Sequence, residues 1–397
     1  MRALSNIFRL SALLCALVLF GTDAYGQNGK DQKELFGTPV VGGQEKLGLQ
    51  SVEMRLGIYE KDDPGTGFSA GNPFLDEDVT VIQPALVFDW GLTDHSAISV
   101  NMSYDWVSSA SIKRLADQTR YPTSQQSGAS GDFYFGIDTT YRYHLDERTQ
   151  LSTHLDVSTE YDFLSIGTGG TVAWASENGN INQSVALNGY FDSLDLIRFN
   201  GVEDGSDTRT SLSLTYLWDG LVSEEGQVQV GSTLSAQNGY LGTPFNGVTL
   251  ETGGGDVEVQ ELLPDSRLRY SVFGSYRHWV AKGMAAELAS RLYTDDWGLT
   301  GISLEPRWYQ MLSESLLARV RYRYYDQGAS DYSGRFVAAE EFMTQDSDLD
   351  DWNSHTVGVR FVAYDEGHQT WDAGFDYVKR SDDLDHLIAS VGYVWTF

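Results

Sequence analysis

LIASVGYVWTF, residues 387–397, alternates to its last residue. Leu387, Ala389, Val391, Tyr393, Trp395 and Phe397 share one parity, and Ile388, Ser390, Gly392, Val394 and Thr396 share the other. Successive side chains of a β-strand point to opposite faces, so one face here is apolar and grows more aromatic toward the end.

An amphipathic strand that finishes on Phe resembles the closing strand of a bacterial outer-membrane β-barrel. The rest of the chain repeats the pattern. Val52, Met54, Leu56 and Ile58 alternate with Glu53, Arg55 and Gly57. Ile82, Pro84, Leu86, Phe88 and Trp90 share a face. Ile98, Val100, Met102, Tyr104 and Trp106 alternate with Ser99, Asn101, Ser103 and Asp105. Similar segments cover about 133–143, 151–163, 170–177, 183–192, 208–218, 227–236, 267–279, 284–294, 299–310, 315–325, 355–363, 370–379 and 385–397. The total is sixteen, and the weak segments 170–177 and 284–294 leave fourteen or eighteen open.

Short connections alternate with generally longer ones, the longest at 107–130, 193–207, 237–266 and 326–354. An even count with short turns on one side and long loops on the other predicts an all-β, closed antiparallel transmembrane barrel with short periplasmic turns and long extracellular loops. A soluble β-sandwich would also alternate. Against it, aromatic residues tip the apolar face at strand ends, the opposite face is polar rather than a second core, and the last strand is aromatic.

Composition agrees. Aromatics are 13%, Gly numbers 41 and Pro only 8, and proline would interrupt strand ladders. Arg2 and Arg9, the apolar run 10–20 and Ala24-Tyr25-Gly26 predict a secretory leader over 1–26. Cys15, the single cysteine, lies inside it after Leu14, a poor lipoprotein signal. Residues 27–48 read as a periplasmic lead-in and 49–397 as the barrel. Beyond the leader the net charge is roughly −30, which argues against nucleic acid as a partner. Mean hydropathy is −0.30, and no later apolar run is long enough for a membrane-spanning helix.

A barrel of this size holds water rather than a packed core, so the inward parity should carry function. Early strands place Asp105, Asp132, Asp138, Asp156, Glu160 and Asp162 inward. Later strands place Arg269, Arg277, Arg291, Arg307, Arg319, Arg321, Arg323 and Arg360 there. One wall would be mainly acidic and another mainly basic, with Arg142, Glu287, Glu305, Asp372 and Asp376 as exceptions. Two outcomes follow: a transverse field acting on polar solutes in a constriction, or charges that pair across strands and brace the wall. The clusters Asp346, Asp348, Asp350, Asp351 and Asp382, Asp383, Asp385 lack an EF-hand spacing and read as a solvated acidic rim. Ser152 with His154, and His386 with Ser390, share inward parity, but no G-x-S-x-G elbow or zinc-type histidine spacing accompanies them. No catalytic residue, cofactor or metal site is expected.

Specific strings carry a family resemblance. SGAS at 127–130, TEYDFLS at 159–165, DDW at 295–297, RYRYYDQGASDY at 321–332 and DLDDWNSHTVGVRF at 348–361 together resemble an uncharacterised family of proteobacterial outer-membrane proteins, a domain of unknown function. The likeness covers roughly 50–397, and its most specific part is the Arg-Tyr-Tyr-x-Gln segment. Proline is missing after SGAS, and Glu160-Tyr161-Asp162-Phe163 shifts the acidic-aromatic order of the family pattern. The resemblance implies a Gram-negative outer-membrane location in contact with lipid and lipopolysaccharide. Tyr393, Trp395 and Phe397 would then serve as periplasmic girdle and as the insertion signal for the barrel-assembly machinery. Tyr324, Tyr325 and Gln327 are expected to fix the long loop after them against the wall. The expected function is a porin-like passive channel for small polar solutes. The alternatives are a closed barrel anchoring a periplasmic or surface partner, with 27–48 as its docking segment, and more remotely an outer-membrane enzyme.

Overall fold

The computed structural model describes residues 45–62, 78–108, 119, 122, 132–243, 245–365 and 369–397. The leader, the lead-in up to residue 44, the SGAS string and the side chain of Asp132 lie outside them.

The strands are β1 (Gly48–Asp62), β2 (Val79–Thr93), β3 (Ser96–Val107), β4 (Asp132–Asp146), β5 (Thr149–Thr159), β6 (Phe163–Ala175), β7 (Ile181–Ile197), β8 (Glu203–Ser223) and β9 (Gly226–Gly239). They continue as β10 (Gly247–Thr252), β11 (Gly255–Gln260), β12 (Ser266–Ala281), β13 (Met284–Asp295), β14 (Thr300–Ser313), β15 (Leu316–Gln327), β16 (Trp352–Tyr364), β17 (Gln369–Arg380) and β18 (Asp385–Thr396). All but β10 and β11 form one closed antiparallel barrel of sixteen strands, each beside its sequence neighbour. β18 pairs with β1, with Trp395 opposite Val52 and Ala389 opposite Ile58, so no edge remains. The Phe397 amide donates to Gln50 O at 2.8 Å, and its ring stacks on Trp395 at 5.2 Å. The end where β1 begins and β18 finishes is termed the inner end, the opposite one the outer end.

Parity sorts the two faces. Met54, Leu86, Phe135, Leu187, Phe191, Leu214, Leu292, Val320, Val357 and Trp371 all point outward and are exposed. A belt this large and apolar matches hydrocarbon rather than water. The inward face carries carboxylates, guanidiniums, amides and hydroxyls.

Three boundaries differ from the sequence expectation. The segment 151–163 is not one strand: β5 ends at Thr159, residues 160–162 turn, and β6 starts at Phe163. The weak segment 170–177 is the second half of β6, whose first half carries no clear alternation because its inward positions are small. A Cβ on Gly167 would lie 2.3 Å from the Tyr190 ring, and one on Gly169 2.3 Å from the Asn188 amide, so glycine gives these larger neighbours their space. The stretch 193–207 is mostly strand, since β7 runs to Ile197 and β8 begins at Glu203. The 237–266 loop contains a separate hairpin, β10–β11.

Candidate functional site: the lumen wall and its outer cap

Alternation on β12 to β18 and β1 brings arginines and carboxylates onto one inward surface. Arg277 Nε donates to Glu287 Oε2 at 2.7 Å. Arg307 bridges Glu287 at 2.9 Å and Glu305 at 2.6 Å. Arg321 holds Asp376 at 2.7 Å and reaches Glu305 at 3.5 Å. Arg360 holds Asp372 at 2.6 Å, and Arg55 spans Asp372 at 3.1 Å and Glu53 at 2.9 Å. Arg319 stands in register between Tyr309 and Arg360. Of the supposed exceptions, Glu287, Glu305, Asp372 and Asp376 are therefore the counter-charges of the arginines. This wall is a compensated ladder, not a basic stripe. The fifth exception, Arg142, is also paired, donating to Asp89 at 3.1 Å. Glu287, Glu305, Asp372 and Asp376 are buried. Removing one partner of such a pair leaves a desolvated charge, so each pair locks its neighbours in place.

The outer half of the barrel is arranged differently. Asp138 and Asp156 sit directly opposite one another on β4 and β5. Thr140 donates to Asp138 at 3.2 Å and Tyr190 to Asp156 at 3.1 Å, with His154 3.4 Å from Asp156. Asp105 is buried beside Gln83. Glu160 and Asp162 belong to the turn after β5 rather than to a strand face. Asp192 on β7, unremarked in the sequence, binds Arg209 at 2.7 Å and accepts from Ser165 at 2.7 Å. Across the ring, Arg269 faces Asp295 in the ladder. Arg291 donates to Ser271 Oγ at 3.1 Å and lies 5.5 Å from the Phe273 ring. Arg323 lies 5.4 Å from the Tyr325 ring.

Above this level the loops 240–265 and 328–351 fold together as a cap. Leu262 and Met343 exchange backbone hydrogen bonds of 3.2 and 2.8 Å, and the Glu251 amide donates to Phe336 O at 2.8 Å. Val248, Leu250, Phe336 and Met343 form one small core, and Leu241, Trp297, Leu299 and Leu349 another. Inside the cap Glu261 is buried, accepting from Thr344 Oγ1 at 2.5 Å and from the Thr243 amide at 2.8 Å. Asn246 Nδ2 lies 3.3 Å from both Glu261 and Asp346. Burial, and then the Asp346 charge, push the Glu261 carboxyl up to about 7 despite the hydrogen bonds it accepts.

The cap is tied to the wall. Gln327 Nε2 donates to Asp348 O at 3.1 Å and Asp350 O at 2.6 Å, while Tyr325 Oη donates to Gln327 Oε1 at 2.8 Å. Tyr324 points outward instead and donates to Asp326 at 3.3 Å. Arg380 holds Asp348 at 2.7 Å and Asp382 at 2.5 Å, with its guanidinium 3.9 Å from the Trp352 ring. Several acidic-rim residues are thus structural partners. Trp297, almost fully buried, lies 4.2 Å from the Arg267 guanidinium, which pairs with Asp295. The sequence signal for this corner is the DDWG string, whose Gly298 takes φ +82. At the inner end Glu45 accepts from Gln50 at 2.8 Å and lies 3.1 Å from His144 Nε2. Burial opposes its charge, but these bonds together with Arg142 hold its carboxyl below the ordinary range.

His386 Nδ1 is bonded to Tyr59 Oη at 2.5 Å, and Ser390 lies four residues further along the same strand. The pair is too far apart for a nucleophile and base. Among the described residues no three His, Cys, Asp or Glu side chains gather as metal ligands.

No curated protein matches the chain. Among solved structures, a bacterial polysaccharide outer-membrane secretin aligns with TM-score 0.50 and 10% identity over 87% of this chain and 98% of its own. The outer membrane protein opdK from Pseudomonas aeruginosa aligns with TM-score 0.41 and 8% identity over 87% and 99%. A mutant ferric enterobactin receptor, PfeA, from the same organism gives 0.46 and 11% over 84% of this chain and 54% of the receptor, so the chain spans about half that receptor's length. At such identities the likeness concerns the fold alone: that of an outer-membrane β-barrel. Residues 195–395 match a family described as protein of unknown function (DUF3570), and the chain belongs to that family.

Proposed function

We propose that the protein is a porin-like channel in the outer membrane of a Gram-negative cell, passing small polar solutes through its lumen. The observation that carries this is the sorting of side chains. The outward parity is an apolar belt, while the inward parity is charged and hydroxylated along the strands, as a water-filled passage requires. The ladder from Arg277 to Arg55 braces the wall, so a wide barrel keeps its shape without a packed core. Lipid and lipopolysaccharide surround the belt, and the assembly machinery engages the closing strand with Tyr393, Trp395 and Phe397. Purified barrel reconstituted in a planar bilayer should give discrete conductance steps. Insertion without steps would sink the proposal.

One feature favours a second reading, a capped barrel that anchors a partner. The cap has its own cores, and inward apolar clusters lie near both ends: Val79, Val81, Val107 and Tyr134 at the outer end, Ala285, Tyr309 and Leu317 at the inner. Stoichiometric capture of one partner, lost on deleting residues 27–44, would support it.

A further inference from the structure

We infer that Arg291 and Arg323 form an oxyanion-binding site on the lumen wall, taking a small carboxylate or phosphate. The inference deepens the channel reading by naming a solute class, and rests on that reading for the ligand's route.

The two residues are set apart by what they lack. Along the compensated ladder each of Arg55, Arg277, Arg307, Arg321 and Arg360 holds a carboxylate within 3.1 Å. Arg291 and Arg323 have no ion pair among the described residues. Their neighbours are a hydroxyl and ring faces: Ser271 and Phe273 for Arg291, Tyr325 for Arg323. The acid nearest in the ladder to Arg323, Glu305, is already held by Arg307 at 2.6 Å.

Register brings the two together. Arg291 pairs with Ser303 on β14, and Ser303 with Tyr325 on β15, two residues from Arg323 on the same inward face. Arg323 feels the charge of Glu305 first, then that of Arg321 and, more weakly, that of Arg291. Two like charges on one half-buried wall are held at an electrostatic cost that an anion between them removes. Guanidinium forks suit carboxylate and phosphate oxygens, and Ser303 and Thr356 add hydroxyls on the same surface.

The opposite wall reinforces this choice. In the ring of sixteen, β5 lies eight places from β15 and β4 eight from β14. Asp138 and Asp156, with no arginine bonded to either among the described residues, therefore face this site across the lumen. The negative charge kept by this close carboxyl pair, which His154 approaches at 3.4 Å, biases anions toward the arginine wall. Among the described residues, the charges outside the ladder that could set up such a transverse field are these arginines and this carboxyl pair.

The test uses full-length mature barrel, with folding checked by heat-modifiable gel mobility and circular dichroism. Inorganic phosphate and succinate are titrated separately, by calorimetry in detergent and by reduction of potassium chloride current in planar bilayers. R291Q and R323Q should each weaken binding of the preferred anion roughly ten-fold, as loss of a charge-assisted hydrogen bond does. R198Q, removing an exposed arginine outside the lumen, should leave it unchanged. Preference for phosphate or for succinate identifies the ligand class. Calorimetric binding lost in both variants, without any conductance, keeps the site and removes the channel. Folded wild-type barrel that binds neither anion, or variants that bind as tightly as wild type, overturns the inference.

Discussion

Glu261→Gln tests whether the outer cap is held shut by a proton. The carboxyl moves from an ordinary 4.5 to about 7 in the folded cap, because it is buried beside Asp346 and no basic side chain among the described residues contacts it. A rise of this size corresponds to about 3 kcal/mol between protonated and ionised forms. The folded pKa lies above the unfolded one, so the stabilisation is fully present below pH 4.5 and is lost as pH rises through about 7. Glutamine keeps an acceptor for Thr344 and carries no charge, while its amide nitrogen takes the place of the oxygen that accepts from the Thr243 amide. Hydrogen exchange at the Leu262 and Met343 amides, which bond to each other's carbonyls and not to residue 261, reads cap opening once corrected for intrinsic rates. In wild type, protection should fall roughly a hundred-fold between pH 4.5 and 8. In E261Q it should be nearly flat across that range and exceed wild type at pH 8. Wild-type protection that is independent of pH, or that grows with it, refutes the argument.

Other substitutions probe the wall and the cap separately. Asp372→Asn strips the counter-charge from Arg360 and from one side of Arg55, and should lower barrel stability by about 3–5 kcal/mol in denaturant unfolding. Adding Arg360→Gln should recover part of that loss, and a strictly additive double variant would show that the pair does not act as a unit. Trp297→Ala empties a buried site against Arg267 and should loosen the cap by about 3–5 kcal/mol. It should speed proteolysis within 240–265 while the barrel keeps its heat-modifiable mobility. Gly167→Val forces a side chain into the Tyr190 ring and should lower Tm markedly, whereas Val in place of Gly136, where only the Ser103 hydroxyl comes near, should cost less. Equal losses at the two sites would mean that the close approach on β6 is not what demands glycine.

The barrel was legible because its signal is a period, and a period survives errors at single positions. Val52 to Ile58 and Ile98 to Trp106 display it with large residues on one face and polar residues on the other. β6 did not, because Gly167, Gly169 and Gly170 contribute no side chains to either set. Parity is also blind to who pairs with whom. It placed Arg321 and Asp376 inward without showing that the register sets them two strands apart at one level, through Gly358. The cap was the least legible part. Its contacts join 243–262 to 333–346, and neither stretch has a period that names the other.

That asymmetry bears on how function is distributed in the chain. The ladder needs only strand register, which closure of the barrel imposes on every strand at once. Its ion pairs are therefore consequences of the fold, and they consume the charges that looked functional in the sequence. Arg291 and Arg323 are the counterexample: the same register that pairs Arg307 with Glu287 sets Arg291 opposite Phe273 and Ser303. A carboxylate in place of either neighbour would complete the ladder at no cost to the alternation. Residues 273 and 303 instead place a ring face and a hydroxyl-bearing residue beside the guanidinium. Phe273→Asp tests the point directly, since an introduced carboxylate should capture Arg291 and weaken phosphate or succinate binding as much as R291Q does. If F273D folds and binds the anion as wild type does, the two arginines owe their unpaired state to packing rather than to a ligand.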